Sequence, residues 1–315
     1  MHTCLFIQRW FGRSRSSARR SEKRALSSPG STPGVAAELA TRYPLPGAFL
    51  RLLELRAEAP GASATLAETL DAVLDTERLR LAFLAALRNP SDPLTGVSDS
   101  LRLIARHGYR RVHSAALVTT FLAAFELEAR SFDWLDFWRH SMSVALTTQF
   151  LVQAGPEADF AFATGLLHDI SLLLLDFDAC EAVPELVSAP KGRGTPEGHN
   201  LEREILGFSL DDLTVFVMSA WGLPQAVLAA VAEQDSGTAR GRLGACLATA
   251  IEGSASLGFP CVHRDRGGKT LPRELSAFAL TTLRRQYLRD IDRSLGSLLA
   301  IRSGASDGDP PSLPG

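Results

Sequence analysis

The segment AFATGLLHDI at residues 161–170 decides how this chain is interpreted, because it ends an apolar, helix-forming run with a His-Asp pair. His140 lies 28 residues before His168, in another apolar stretch. Imidazole and carboxylate groups that meet across two helices suit a divalent transition metal. Taken alone, a histidine on an apolar helix is more often a hydrogen-bonded core residue. Both interpretations stay open at this level.

The surrounding sequence predicts an antiparallel pair of long helices. Apolar periodicity covers residues 134–153 and 159–176, and Gly155-Pro156 predicts the turn between them. Gly165 lies one helical turn before His168 and has no side chain, so the two helices should approach closely there. His168 and Asp169 are neighbours on the second predicted helix, so their side chains should point about 100° apart.

The rest of the chain also favours helices. Val and Ile together number only 21 of 315 residues, against long runs of Ala and Leu, which is not typical of a sheet-rich protein. Apolar residues recur at helical spacing. The segments that follow this pattern are 45–53, 66–74, 81–87, 98–107, 111–127, 201–206, 211–221, 225–233, 242–255 and 274–301. The expected fold class is all-α.

Composition divides the chain into a central helical domain with a tail on each side. Residues 1–34 are a basic tail and a Ser/Pro/Gly linker that we expect to be disordered. We expect one domain over residues 35–256, with a smaller N-terminal helical part at 35–128 and a second part at 129–256. Residues 257–303 should form a loop and a C-terminal helix, and residues 304–315 a disordered tail.

Charge and cysteine content limit the function classes. Residues 1–24 carry a net charge of +6 and the remaining residues −8, which argues against duplex nucleic acid as a partner of the domain. The four cysteines form no C-x-x-C pair, which predicts neither a disulfide framework nor a zinc knuckle. No apolar run is long enough for a membrane span or a signal peptide. We therefore expect a cytoplasmic protein.

Several motifs together resemble the HDOD domain, a bacterial signalling relative of the HD phosphohydrolases. They are His140-Ser141, the run that ends in Gly-Leu-Leu-His-Asp-Ile at residue 170, Glu204-x-x-Gly207 and Trp221-x-Leu223-Pro224. The resemblance covers about residues 43–250. It implies an HD-like helical bundle with a smaller N-terminal helical subdomain, and it implies a regulatory role.

The resemblance also implies which positions would hold metal in an HD enzyme. His140, His168 and Asp169 fall on ligand positions and are retained. Other positions of the enzyme pattern are substituted, and they are Ser171-Leu172 in place of Gly-Lys, then Ser209, Gln234-Asp235 and Thr249. Three remaining ligands are too few to assume a firmly held, reactive metal. The resemblance thus predicts vestigial HD residues, no catalytic residue, no metal and no cofactor.

Three further features are candidates for contacts. The aromatic group of Trp134, Phe137 and Trp138 exceeds what one core-facing stripe needs, which predicts an interface or a core cluster. Residues 4–15 could lie weakly on an anionic membrane surface, although a flexible basic arm is the commoner case. Cys261-x-His263 lacks partner ligands in the sequence and is interpreted as incidental.

The expected function is a non-catalytic bacterial regulatory module that contacts other signalling proteins. The alternatives are a residual metal-dependent phosphohydrolase that uses His140, His168 and Asp169, and an adaptor recruited to a membrane surface through residues 4–15. The sequence leaves the partner, self-association, any effector and the role of the C-terminal helix open.

Overall fold

The computed structural model describes residues 31–74, 76–87, 100–124, 131–188, 196–234 and 241–262. These residues form helices and no strand, which confirms the all-α prediction. In the described part of the chain the helices are α1 (Thr32–Arg42), α2 (Gly47–Leu53), α3 (Ala62–Val73), α4 (Glu77–Leu87), α5 (Ser100–His107), α6 (Tyr109–Ala124), α7 (Trp134–Leu151), α8 (Ala161–Leu167), α9 (Ile170–Phe177), α10 (Ala182–Ser188), α11 (Pro196–Leu206), α12 (Leu210–Ala220), α13 (Gln225–Glu233) and α14 (Arg242–Ser256).

Helices α2 to α6 form the smaller N-terminal bundle that the apolar periodicity predicts. The central helix α6 contacts α2, α3, α4 and α5. Its apolar face is filled by buried rings, and the Phe49 and Phe121 ring centroids lie 5.8 Å apart. The other half is built on α7, which packs against α8 and α14. One continuous apolar core joins the two parts.

Helix α1 was not predicted, because its first residues lie in the Ser/Pro/Gly segment that reads as a linker. It begins at Thr32, and a proline in its first turn suits that position since no intrahelical N–H is lost there. Its apolar face packs on α12 rather than on the N-terminal bundle. Where α1 ends, the indole N–H of Trp221 donates to the Tyr43 carbonyl over 3.1 Å, and Arg42 pairs with Asp178.

Trp221-Gly222-Leu223-Pro224 forms the corner between α12 and α13. Gly222 adopts φ +79°, and the Leu223 N–H donates back to the Met218 carbonyl over 3.1 Å, which ends α12 with a Schellman turn. Trp221 fills the corner at 8% exposure. A buried indole therefore closes the corner between the two helices.

The predicted single helix over residues 159–176 is in fact two helices, α8 and α9. The chain leaves helical geometry at Asp169, whose φ is −117° and ψ is +19°. Asp169 then precedes the first residue of α9.

No helix in the described part of the chain combines the length and the apolar character that a membrane span requires.

Candidate functional site

The side chains of His140, His168 and Asp169 meet in the interior between α7 and the α8–α9 junction. The two Nε2 atoms lie 3.2 Å apart, and Asp169 Oδ2 lies 3.2 Å from His168 Nε2 and 3.8 Å from His140 Nε2. The exposed fractions are 1% for each histidine and 6% for the aspartate. The two histidines lie side by side, as the predicted antiparallel pairing of residues 134–153 and 159–176 allows.

The break between α8 and α9 explains how two consecutive residues reach one point. On a regular helix the side chains of His168 and Asp169 would diverge by about 100°. Because Asp169 is not helical, that rotation does not apply, and both side chains turn toward His140. The expectation of diverging side chains is wrong for this reason.

Gly165 permits the close approach of α7 and α8, as its missing side chain predicts. A Cβ atom at this position would lie 2.5 Å from Ala145 Cα and 2.9 Å from the Val144 carbonyl carbon. Main-chain atoms cannot rotate away from such a contact. Any side chain here would therefore push His168 away from His140.

Main-chain carbonyls orient both imidazoles. His140 Nδ1 lies 2.9 Å from the Phe259 carbonyl oxygen, and His168 Nδ1 lies 2.8 Å from the Gly165 carbonyl oxygen. A carbonyl oxygen only accepts, so each Nδ1 carries the hydrogen. In the neutral rings both Nε2 atoms then present lone pairs to each other and to the Asp169 carboxylate.

Cys261 is the site residue that sequence reasoning missed. Its thiol donates to Asp169 Oδ2 over 3.2 Å, and its side chain is 6% exposed. Ligand atoms of His140, Asp169 and Cys261 lie within 4.8 Å of one another. The interpretation of this cysteine as incidental is thus corrected, while His263 lies outside the described residues.

The turn after α14 delivers Cys261 to the site. Gly258 adopts φ +94°, the Gly258 N–H donates to the Ala255 carbonyl and the Phe259 N–H to the Ser254 carbonyl, which is a Schellman turn. This turn reverses the chain, and the Phe259 carbonyl then accepts from His140 Nδ1 and from the Ser254 hydroxyl, at 2.9 and 3.0 Å. A glycine followed by a hydrophobic residue at the end of α14 was the available sequence signal.

The family model of the HDOD domain matches residues 43–236, which is more than half of the chain. The chain belongs to the HDOD domain family. A comparison with curated proteins gives no match.

Solved structures share the fold at low sequence identity. A provisionally named phosphohydrolase from Shewanella amazonensis SB2B has a TM-score of 0.55 at 16% identity, over 90% of this chain and 99% of its own. A provisionally named signal transduction protein from Marinobacter aquaeolei VT8 gives 0.62 at 16% identity, over 86% of this chain and 65% of its own. An HDOD domain protein of unknown function from Geobacter sulfurreducens gives 0.58 at 16% identity, over 87% and 98%.

Two of the residues that the resemblance places at substituted HD positions serve the structure of this HDOD chain. Ser209 precedes α12 and accepts the Asp212 N–H over 3.1 Å, so it caps that helix. Gln234 is buried and donates to Asp211 Oδ1 over 2.8 Å. Thr249 is half-buried on α14. Asp235 lies outside the described residues.

Ser171, which the resemblance places at the glycine of the enzyme pattern, is fully buried. Its hydroxyl donates to the Leu210 carbonyl over 2.9 Å and accepts from the Thr214 hydroxyl over 2.7 Å. These bonds join α9 to α12. Residue 171 therefore serves a polar contact between two helices. Leu172 beside it lies in the apolar core.

The aromatic group divides between core and periphery. Phe137 and Trp138 are 2% and 1% exposed, and Trp138 packs edge-on against Phe121 with centroids 5.4 Å apart. This burial corrects the expectation that these two rings help to form an interface, since Phe137 in turn packs against Phe132 and Trp138 and both rings lie inside the core. Trp134 is half-buried against the core. The basic segment 4–15 lies outside the described residues.

A second buried imidazole has a different role. His113 on α6 lies 2.7 Å, through Nε2, from the Leu52 carbonyl at the end of α2. Burial lowers its pKa below the ordinary 6.5, although the Leu52 carbonyl acts in the opposite direction. A neutral His113 therefore holds α2 on α6, away from the His140 cluster.

Proposed function

We propose that this HDOD protein is a non-catalytic bacterial signalling module that acts in the cytoplasm through contacts with other proteins. Membership of the HDOD family supports a signalling role, as does the name of the Marinobacter relative. One observation carries the non-catalytic part: the retained HD residues are buried at 1 to 6% exposure. A phosphate ester cannot reach side chains so enclosed unless the helices separate.

The substituted positions support the same proposal. Hydrolysis at a metal needs an open coordination position and groups that bind the leaving phosphate. Here Ser171 binds main chain and a threonine, Ser209 caps a helix, and Gln234 bonds Asp211. These side chains contribute to packing between helices, so the positions no longer supply the chemistry of an HD enzyme.

A residual phosphohydrolase is the second candidate, because His140, His168 and Asp169 do converge. The Shewanella relative bears that name. The two candidates differ in one measurable property, which is metal-dependent turnover.

The described residues leave three large apolar side chains exposed, namely Leu101 on α5, Phe150 on α7 and Phe216 on α12, at 50, 38 and 41%. Exposed apolar side chains are common on protein surfaces, so they do not define a docking site by themselves. They are suitable positions for a photo-crosslinking amino acid, because a partner that covers them would be captured at short range. Glu68 on α3 is an exposed polar control position.

The experiment combines turnover with crosslinking. The full chain is assayed against phosphate monoesters, nucleoside triphosphates and cyclic dinucleotides with Mn²⁺, Fe²⁺, Ni²⁺ or Zn²⁺, beside the Asp169→Asn variant. We expect no activity that exceeds that of the variant. In cells, a photo-crosslinker at position 150 or 216 should yield a discrete protein adduct, and one at position 68 should not. Turnover that requires Asp169, or identical crosslinking at all three positions, contradicts the proposal.

A further inference from the structure

Helix α1 lies outside the part of the chain that matches the family model, which begins at residue 43, yet it packs on α12. Its buried side chains are Val35, Ala36, Leu39 and Ala40. We propose that α12 and the C-terminal end of α9 form a groove for an amphipathic helix, which α1 occupies until a helix of a partner protein replaces it. The inference rests on the proposed function, because it names the surface that binds a protein partner.

The apolar stripe of α1 shows which kind of helix the groove takes. The four buried side chains follow the spacing i, i+1, i+4 and i+5, so they lie on one face of the helix. Ala37 and Glu38 lie on the other face and are exposed. Two of the four buried side chains are alanines, and short side chains let two helices approach closely. The expected occupant is therefore a helix with a partly small, apolar contact face.

The end of the groove selects a cation. Asp178 follows the last residue of α9, its side chain is 3% exposed, and Arg42 of α1 pairs with it. The C-terminal end of a helix carries partial negative charge, so a buried carboxylate there needs a positive partner. A helix that replaces α1 must supply a similar charge. The partner segment is thus an amphipathic helix with arginine or lysine in its last turn.

Tyr43, the residue after α1, provides a fixed point about which α1 can leave. Its carbonyl accepts the Trp221 indole N–H over 3.1 Å, and its ring packs on Phe177 with centroids 6.0 Å apart. Tyr43 is also the first residue of the part that matches the family model. The chain can therefore stay attached at Tyr43 while the preceding helix leaves the groove.

Helix α1 is weak without its neighbour. It has 11 residues, of which five are poor helix formers, namely Thr32, Pro33, Gly34, Val35 and Thr41. Ser31 at the N-cap position makes no side-chain capping bond. A helix this short is marginal in water, so α1 is helical because it is docked, and it should unfold when it leaves. Such an element belongs to the least stable part of a fold, as a replaceable segment must.

Hydrogen exchange of the full chain tests whether α1 opens by itself. We expect the amides of residues 36–42 to be about tenfold or more less protected than those at the centre of α12. Equal protection of the two helices would mean that α1 leaves only when the whole domain unfolds. That result overturns the proposal.

Two matched variants of the full chain test the groove itself. Ala36→Glu places a carboxylate on the buried face of α1 and should release it, whereas Ala37→Glu places the same group on the exposed face. The probe is a fluorescein-labelled peptide of residues 31–43. It should bind the Ala36→Glu chain about tenfold or more tightly than the Ala37→Glu chain or wild type, because the tethered α1 fills the groove in those two.

A second peptide tests the cation. With Arg42→Glu in the peptide, binding to the Ala36→Glu chain should weaken about tenfold or more, because Asp178 then meets a like charge. Equal binding to all three chains, no effect of Arg42→Glu, or no binding to the Ala36→Glu chain up to about 1 mM peptide overturns the proposal.

Circular dichroism shows whether the Ala36→Glu chain is folded. A chain that does not fold also overturns the proposal, because α1 would then be an indispensable part of the core. Failure of the proposed function is separable, since the peptide measurement involves neither turnover nor a cellular partner. Metal-dependent turnover in a chain that binds the peptide refutes the non-catalytic proposal and leaves the groove in place.

Discussion

Substitution of Gly165 by alanine should destabilise the protein strongly, although it only replaces one hydrogen atom with a methyl group. The new Cβ would lie 2.5 Å from Ala145 Cα, so an ordinary contact of 3.4 Å requires the helices to separate locally by roughly 0.9 Å. Overpacking of this kind costs about 1–3 kcal/mol, and the upper part of that range applies since the contacts are main chain. Alanine regains up to about 1 kcal/mol of helix propensity.

The net expectation for Gly165→Ala is a loss of about 2 kcal/mol, which lowers Tm by about 4–8 °C for a domain of this size. Gly244→Ala on α14 is the matched control. There a Cβ meets the flexible Glu233 carboxylate at 3.0 Å, and the cost of displacing it from the Gly241 N–H is similar to the propensity gain. This control should stay within about 1 kcal/mol of wild type. Urea unfolding measures both, and an equal effect of the two substitutions would refute the close-approach argument.

Two further variants test buried polar contacts. Because burial lowers the pKa of His113, the folded protein holds this residue neutral, while the unfolded chain takes up a proton below about pH 6.5. The free energy of unfolding should therefore fall as pH decreases through that value. The His113→Asn variant should flatten this pH dependence, measured by urea unfolding at about pH 5 to 8. An unchanged slope would contradict this role. Ser171→Ala removes the hydroxyl that bonds the Leu210 carbonyl and the Thr214 hydroxyl, so it should lower the free energy of unfolding by about 1–3 kcal/mol. The exposed control Ser188→Ala should lower it by less than about 0.5 kcal/mol. Equal thermal shifts of the two variants would contradict this hydrogen-bond network.

Much of the helical bundle follows from local pattern. Apolar spacing located most helices, and Gly108 and Gly222, which adopt positive φ after α5 and α12, are local signals for where those helices end. Gly165 also carried its information locally, since a glycine inside an apolar helix one turn before a histidine indicates a close contact. The convergence of His140 and His168 was predicted by the antiparallel arrangement of two neighbouring helices.

The remainder depended on tertiary contacts that local pattern does not encode. The break at Asp169 could not be inferred, because AFATGLLHDI continues into an apolar run without proline, and a single aspartate within it does not by itself mark the start of a new helix. Cys261 meets Asp169 across 92 residues, through a turn whose direction is set by the packing of α14. Helix α1 buries its face on α12, so its stability comes from a distant partner and its sequence alone reads as a linker.

Metal analysis of the purified full chain tests the central claim most directly, which is that the retained HD residues do not hold a reactive metal. The account predicts less than about a tenth of an equivalent of Mn, Fe, Ni or Zn, because a working site retains its metal tightly. About one equivalent of one of these metals in the full chain, absent from a folded Asp169→Asn variant, would contradict it.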